Sequence, residues 1–294
     1  MDSVRIRPMT PDDLPAARRV SFAAFLVGDG LPRRVGEPEP EPPDEDGVRR
    51  WIAKMGHLLA ADPAGCLVAE EDGEMAGCAI SQNRGGLWYL SVFAVRPGLQ
   101  GRGVGKRLMD AVLAHADGRP GMLSATAHPG ATRRYRLAGF TLHPMMRMVG
   151  RVDRSRLPAI DGLRDGRPGD LAWMDELDER LRGAGHGPDH VHLRENAPLI
   201  VSDDPGRRPG YVYLDEVWDR PMLLAAGDPE TAGRLLWEAL ARTKGETIVN
   251  RITVANHWAV DVGLAARLDI RQQGYLVLRG MSDPAPYLAE THFL

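Results

Sequence analysis

The sequence predicts a mixed α/β chain built as two successive domains, and three observations carry that expectation. At 294 residues the chain is long for one domain of about 100–150 residues and comfortable for two. Strand and helix signals alternate through its first half, and one buried strand there runs straight into a glycine-rich turn and an amphipathic helix. Hydrophobic residues at 43% and charged residues at 26% suit a globular chain rather than a disordered or fibrous one.

The first half opens with Val4, Ile6 and Pro8 as a short strand, followed by Thr10 as a helix cap. Pro11 at the first helical position and Asp12 and Asp13 in the first turn begin a helix that Leu14, Ala17, Val20 and Ala24 carry to about Leu26. Prolines alternate with acids from Glu37 to Asp46, which predicts an extended, solvated loop. A second helix covers about Val48 to Ala60. Cys66 to Glu71 and Met75 to Ser81 read as two strands joined by an Asp72-Gly73 turn, with Leu87 to Val95 as a third. Val104, Leu108, Ala111, Val112 and His115 then recur at helical spacing. A strand near Met122 to Ala127, a helix from Pro129 to Leu137 and a strand from Phe140 complete the order β-α-α-β-β-β-α-β-α-β.

A polar stretch after Val149 places a boundary there, dividing the chain into residues 1–150 and 151–294. The rhythm from Ile160 to Leu171, with a strand, a Pro/Gly turn, an acid and then a helix, repeats that from Val4 to Leu14 and suggests an internal duplication. The second half continues with helices near Asp170 to Leu181 and from Pro229 to Arg242, strands near Leu199 to Ser202, Tyr211 to Asp215 and Thr247 to Val254, and a helix reaching Leu268.

Composition narrows the function. With 37 basic and 40 acidic residues the net charge is −3, which lacks the basic excess of a nucleic-acid binder. No apolar run approaches the roughly 18 residues of a membrane span, and Met1 to Met9 has no apolar signal core, so a cytoplasmic location is expected. Cys66 and Cys78 sit in apolar runs and read as inert core residues. His186, His190 and His192 stand in a Gly/Pro context with no rigid ligand spacing. They are expected at a surface or pocket wall, and no metal is expected.

The chemistry lies in Val92-Phe-Ala-Val95-Arg-Pro-Gly-Leu-Gln100-Gly-Arg-Gly-Val-Gly105-Lys106. A helix start leaves about four backbone N–H groups unpaired and carries partial positive charge, so glycine-rich backbone there can receive phosphate. A nucleoside-triphosphate loop fails on spacing, because Gln100 and Arg107 stand where Gly and Ser/Thr are needed. A dinucleotide fingerprint fails because Lys106 stands where a small residue belongs. The remaining pattern, Gln-x-x-Gly-x-Gly after a Val-x-Pro strand end, resembles the GNAT superfamily of N-acetyltransferases. His128-Pro-Gly-Ala131-Thr-Arg-Arg-Tyr135-Arg-Leu-Ala-Gly139-Phe140 resembles a second motif of that family, Asn-x-x-Ala-x-x-x-Tyr-x-x-x-Gly-Phe, with His128 replacing the Asn.

The resemblance implies tandem GNAT-like domains on a mixed sheet, the second a degenerate copy, and acetyl-CoA as co-substrate. Phe93, Ala94 and Val95 would meet the pantetheine arm. Gln100, Gly101, Arg102, Gly103, Val104, Gly105 and Lys106 would receive the pyrophosphate, and His128 would help hold the cofactor. Tyr135 would protonate the departing thiolate, and a backbone N–H at Ala94 or Val95 would polarise the thioester. The acceptor would be an amine of a small molecule or peptide attacking directly, with Glu70 or Glu71 as candidate bases and homodimer formation as a further expectation. Asn256-His-Trp-Ala259 matches part of the second motif, but Gly263 stands in place of the Tyr and Asp228-Pro-Glu-Thr231 in place of the glycine loop, which implies one cofactor site per chain. The alternative from another class is a regulatory module that binds acetyl-CoA without transferring it.

Overall fold

The structure is a computed structural model and describes residues 4–30, 44–204 and 206–294. The acidic loop predicted from Glu37 lies outside these residues except at its end, where Asp44 caps the following helix by accepting from Gly47 N at 2.7 Å. The chain forms two compact units. Residues 1–142 and Val277–Gly280, with Leu294, make the first; His143–Leu276 and Met281–Phe293 make the second.

The first unit begins with β1 (Arg5–Pro8), a 3-10 turn at Pro11–Asp13, α1 (Leu14–Gly30) and α2 (Glu45–Ala61). There follow β2 (Cys66–Glu71), β3 (Glu74–Arg84), β4 (Leu87–Val95), α3 (Val104–Ala116), β5 (Gly121–Ala125), α4 (Pro129–Leu137) and the start of β6 (Thr141–Arg151). Strands β1 to β4 form an antiparallel meander. Asp72 and Gly73 both take positive φ, 54° and 79°, the backbone that a two-residue hairpin with right-handed strand twist requires.

The meander carries helices on both faces, which explains why residues 76–82 of β3 are buried without alternation. Cys78 faces α1, with its thiol 3.5 Å from Ser21 Oγ. On the opposite face Val95, paired with Gly77, lies against Gly105 of α3. Burial pushes the Cys78 thiol up to about 11 and the Cys66 thiol up to about 12, so both are inert core groups as the sequence implies. Leu108, Met109 and Val112 are fully buried along one stripe of α3, each contributing about 1.5–3 kcal/mol of burial energy.

The second unit repeats this order element for element. It contains β7 (Arg164–Asp165), a 3-10 turn at Pro168–Asp170, α5 (Leu171–Arg182), α6 (Pro188–Asn196), β8 (Leu199–Ser202), β9 (Gly210–Asp215) and β10 (Arg220–Ala226). It continues with α7 (Pro229–Arg242), β11 (Glu246–Ile252), α8 (His257–Ala265), β12 (Asp269–Arg279) and one addition, β13 (Tyr287–Leu288). Its five-stranded sheet runs β13-β10-β9-β8-β7, all antiparallel, and β6 pairs antiparallel with β11. Helix α6 and strands β10, β12 and β13 are elements that sequence reading did not identify.

Both units open with the same side-chain clamp. Arg7 donates to both oxygens of Asp13 and to Glu70 on the neighbouring strand, and Asp13 accepts from Thr10 N. Arg164 donates to both oxygens of Asp170 and to Asp203, and Asp170 accepts from Arg167 N. In each case the carboxylate stops the chain at a proline-initiated 3-10 turn and starts the helix.

Candidate acyl-transfer site

The site forms where two strands of the first unit part. Strand β5 runs parallel to β4 only over Trp88–Gly121, Tyr89–Met122 and Leu90–Leu123. Ser91 is an extra residue opposite the Ile80/Ser81 junction of β3, a bulge that bends β4 away from its neighbour. Trp88 lies over Gly121, where a Cβ would come within 2.9 Å of the indole, so the strands are held tightly below the point of divergence. Above it a cavity of about 390 Å³ opens between Ser91 to Val95 on one side and Leu123 to Thr126 on the other.

Backbone alternation decides which amides face this cleft. Arg96 N donates to Ala76 O of β3 at 2.8 Å, and Ala94 pairs with Cys78 in the same register, so the Ala94 N–H points into the meander. The amides of Phe93 and Val95 point the other way, toward the open edge. Of the two amides at Ala94 and Val95, only that of Val95 faces the open edge. Gln100 Nε2 donates to the Val95 carbonyl at 3.3 Å, tying the turn to the strand end.

The glycine turn leads into α3 with Gly101 at φ 79° and Gly103, the helix cap, at φ 89°. No heavy atom lies within 4 Å of where a Cβ would stand at either position, so the turn surface is backbone. Gly103 offers no capping side chain and the first turn contains no acid, leaving the amides at the start of α3 for an outside acceptor. Lys106 lines the cavity and pairs with Asp110 at 2.6 Å. Arg102 and Val104 do not line it. Arg102 turns to Glu71 at 3.0 Å, and Val104 is buried in the first turn of α3.

The opposite wall is α4. His128 caps it, its Nδ1 accepting from Gly130 N at 3.1 Å and Ala131 N at 3.3 Å, so the ring proton sits on Nε2. This is the work an Asn or Asp does at a helix start, which gives the His-for-Asn replacement a structural reason. Tyr135 is buried against Phe93 and Phe140, with ring centroids 6.3 and 6.4 Å away, and lines the cavity. Burial pushes its phenol well above the ordinary range, so it is present as the neutral O–H donor.

Phe93, Ala94, Val95, Gln100, Gly101, Gly103, Gly105, Lys106, His128 and Tyr135 thus meet at one cavity. Sequence reasoning missed Ser91, whose buried Oγ has no hydrogen-bond partner among the described residues, and the cations Arg133 and Arg134 on the α4 wall. The two arginines were legible as a charged pair just before Tyr135. Glu70 and Glu71 do not reach the cavity, being held by Arg7 at 2.7 Å and Arg102 at 3.0 Å.

Residues 29–140 match the family model described as the Acetyltransferase (GNAT) family. The family match thus falls on the first unit. Solved structures show the GNAT fold along the whole chain. A putative acetyltransferase from Pyrococcus horikoshii shares 18% identity at a TM-score of 0.76, covering 100% of this chain and 97% of that one. A GCN5-related N-acetyltransferase from Sphaerobacter thermophilus, also 18% identical, has a TM-score of 0.57 over 95% and 96% of the two chains. A tandem GNAT protein from the clavulanic acid biosynthesis pathway, 14% identical, has a TM-score of 0.55 over 95% and 100%. No curated protein matches the sequence. Among the described residues no helix is long and apolar enough to cross a membrane.

In the second unit the expectation is corrected for His186 and His190, while His192 is half-buried. His186 and His190 are fully buried, because α6, rather than an irregular Gly/Pro loop, carries His190 into the core. Both share Asp178 Oδ2 at 2.8 Å, Tyr211 donates to Asp178 Oδ1 at 2.7 Å, and the three side chains bring possible ligand atoms within 4.8 Å of one another. The Asp178 carboxylate is satisfied by these three donors. Burial opposes its ionisation, but His186 and His190 outweigh it and hold the group well below the usual carboxylate range.

Proposed function

We propose that the first unit binds acetyl-CoA in this cavity and transfers the acetyl group to an amine of a small molecule or peptide. The observation that carries the reading is the convergence, at one cleft, of the open amide of Val95, the uncapped start of α3 and the hydroxyl-bearing ring of Tyr135. The polar ends suit the two ends of the ligand. Backbone N–H groups at Gly101 to Gly105 would take the pyrophosphate, with Lys106, Arg133 and Arg134 adding positive charge, and the apolar walls would hold the pantetheine arm.

In the reaction the neutral amine nitrogen forms a bond to the thioester carbonyl carbon, and the Val95 N–H stabilises the oxygen as it gains charge. An oxyanion donor of this kind contributes about 3–4 kcal/mol. The carbon–sulfur bond then breaks, the sulfur takes the Tyr135 proton, the ammonium nitrogen loses a proton to water, and the tyrosine is reprotonated from solvent. N-acetylated acceptor and free coenzyme A leave.

We also read residues 1–150 and 151–294 as two copies of one fold. The matched element order and the paired clamps of Arg7 and Arg164 support this. The second copy lacks the glycine turn, so a single acetyl-CoA is expected per chain. Two unpaired buried thiols suit a reducing, cytoplasmic compartment. Calorimetric titration with acetyl-CoA, followed by thiol release across a panel of amines, tests the reading. One bound equivalent with release for some acceptor supports it, binding with no release favours a regulatory module, and no binding sinks it.

A further inference from the structure

We propose that the second unit has filled its own cofactor cleft with a strand of this chain: residues 284–288 occupy the open edge of β10 that corresponds to the acyl-CoA edge of β4. This rests on the reading of the first unit as the acetyl-CoA site. In the first unit the upper half of β4, from Ser91 to Val95, has no strand beside it on the cavity side among the described residues. In the second unit the corresponding upper half of β10 is paired. Leu224 and Ala225 take Leu288 and Tyr287 as antiparallel partners, and Ala226 N donates to Pro286 O at 3.2 Å. A main chain provides the backbone hydrogen bonds there.

The residues that would mark a ligand wall now hold that segment. Asn256, at the start of α8 in the Asn-x-x-Ala match, is buried and uses its amide on the segment from both ends: Nδ2 donates to Pro284 O at 3.0 Å, and Oδ1 accepts from Tyr287 N at 2.8 Å. The Tyr287 hydroxyl reaches His186 Nε2 at 3.3 Å and so joins the Asp178 network. Two further positions close the cleft to a cofactor. A Cβ on Gly263 would come within 2.7 Å of Met148 Cγ, so the space of the missing tyrosine is already filled. Asp228 caps α7 by accepting from Thr231 N at 2.7 Å, and Glu230 follows it in the first turn, so that helix start is satisfied and repels an anion. The second cleft is thereby a peptide-strand groove whose ligand is covalently attached.

Hydrogen exchange on the full chain, with and without saturating acetyl-CoA, tests this independently of the first site. Peptides spanning 284–290 should exchange slowly and stay slow when acetyl-CoA slows the peptides around 93–106. Asn256→Ala should accelerate exchange at 284–288 at least tenfold while leaving acetyl-CoA affinity unchanged. Fast exchange at 284–290 in the unmodified chain, loss of protection there on adding acetyl-CoA, or two bound equivalents per chain would each overturn the proposal. Protection at 284–290 with no acetyl-CoA binding anywhere would uphold the strand filling and overturn only the reading of the first unit.

Discussion

Arg164 grips Asp170 through both terminal guanidinium nitrogens, at 2.8 and 2.7 Å, in the geometry and at the six-residue spacing with which Arg7 grips Asp13. Each pair ties a strand to the helix that follows it, and each carboxylate also takes a backbone amide of the intervening turn.

Asp170→Asn should therefore destabilise the chain by about 1.5–3 kcal/mol, the usual worth of a hydrogen bond to a charged group in a partly buried setting. The bonds from Arg164 hold Asp170 down to about 2, and those from Arg7 do the same for Asp13. With folded values below the unfolded 3.8, both clamps contribute fully above about pH 4 and are lost as pH falls toward 2. Urea melts at pH 7 and pH 2.5 check this, since the Asn variant should differ from the parent far less at the lower pH.

Tyr135→Phe should lower kcat by about 10²–10⁴ while KM for acetyl-CoA changes little. Among the described residues the hydroxyl makes no hydrogen bond, so the ring packing against Phe93 and Phe140 is retained. Steady-state kinetics with the acceptor found by the thiol assay decide the matter; an unchanged kcat would remove Tyr135 from the proton-transfer step.

Gly103→Glu should abolish measurable acetyl-CoA binding, because it places a carboxylate at the mouth of α3 and a side chain at φ 89°. Gly103→Ala controls for backbone strain, which costs about 1–2 kcal/mol of stability without adding charge. If the Glu variant binds as tightly as the parent in calorimetry, the phosphate end of the site is misplaced.

His186 supplies a pH dependence of its own. Burial, together with the neighbouring Arg182, pushes its imidazole down to about 4, below the ordinary 6.5. The unfolded chain thus binds the proton first, and the stability that His186 contributes is complete above about pH 6.5 and is lost as pH falls toward 4. Thermal melts from pH 7.5 to 4 should show a steeper decline for the parent than for His186→Gln, although the variant is less stable at neutral pH.

The legible and illegible parts of the sequence separate on physical grounds. Helix α3 was readable because Val104, Leu108 and Val112 repeat at the spacing of one face, and the hairpin because Asp72-Gly73 fixes its turn. The cavity could be assembled because its backbone parts are announced by glycines. Which amide faces the cleft was not readable, since it depends on the register of Ala94 against Cys78. Helix α6 escaped because Pro188-Asp-His-Val-His-Leu-Arg-Glu-Asn196 has no apolar stripe, and the face it buries carries Asp189 and a hydrogen-bonded His190 beside Leu193. Strand β10 carries Pro221 inside it, a residue that argues against a strand in sequence. The role of β13 could not be anticipated, because two residues have no periodicity and their meaning lies in their partner.

Gly121 has a consequence for evolution at this site. Only three rungs join β4 to β5, and the lowest is packed shut by Trp88 against a residue with no side chain. The two strands behave as the arms of a caliper with that contact as its fulcrum. A methyl group at Gly121 would pry the arms at their base and widen the jaws several residues away, where the acyl group would lie. Under the proposed function, reach toward longer acyl chains would be adjustable from a position that does not line the cavity, and variation at this fulcrum would retune the donor while every residue of the cleft keeps its identity.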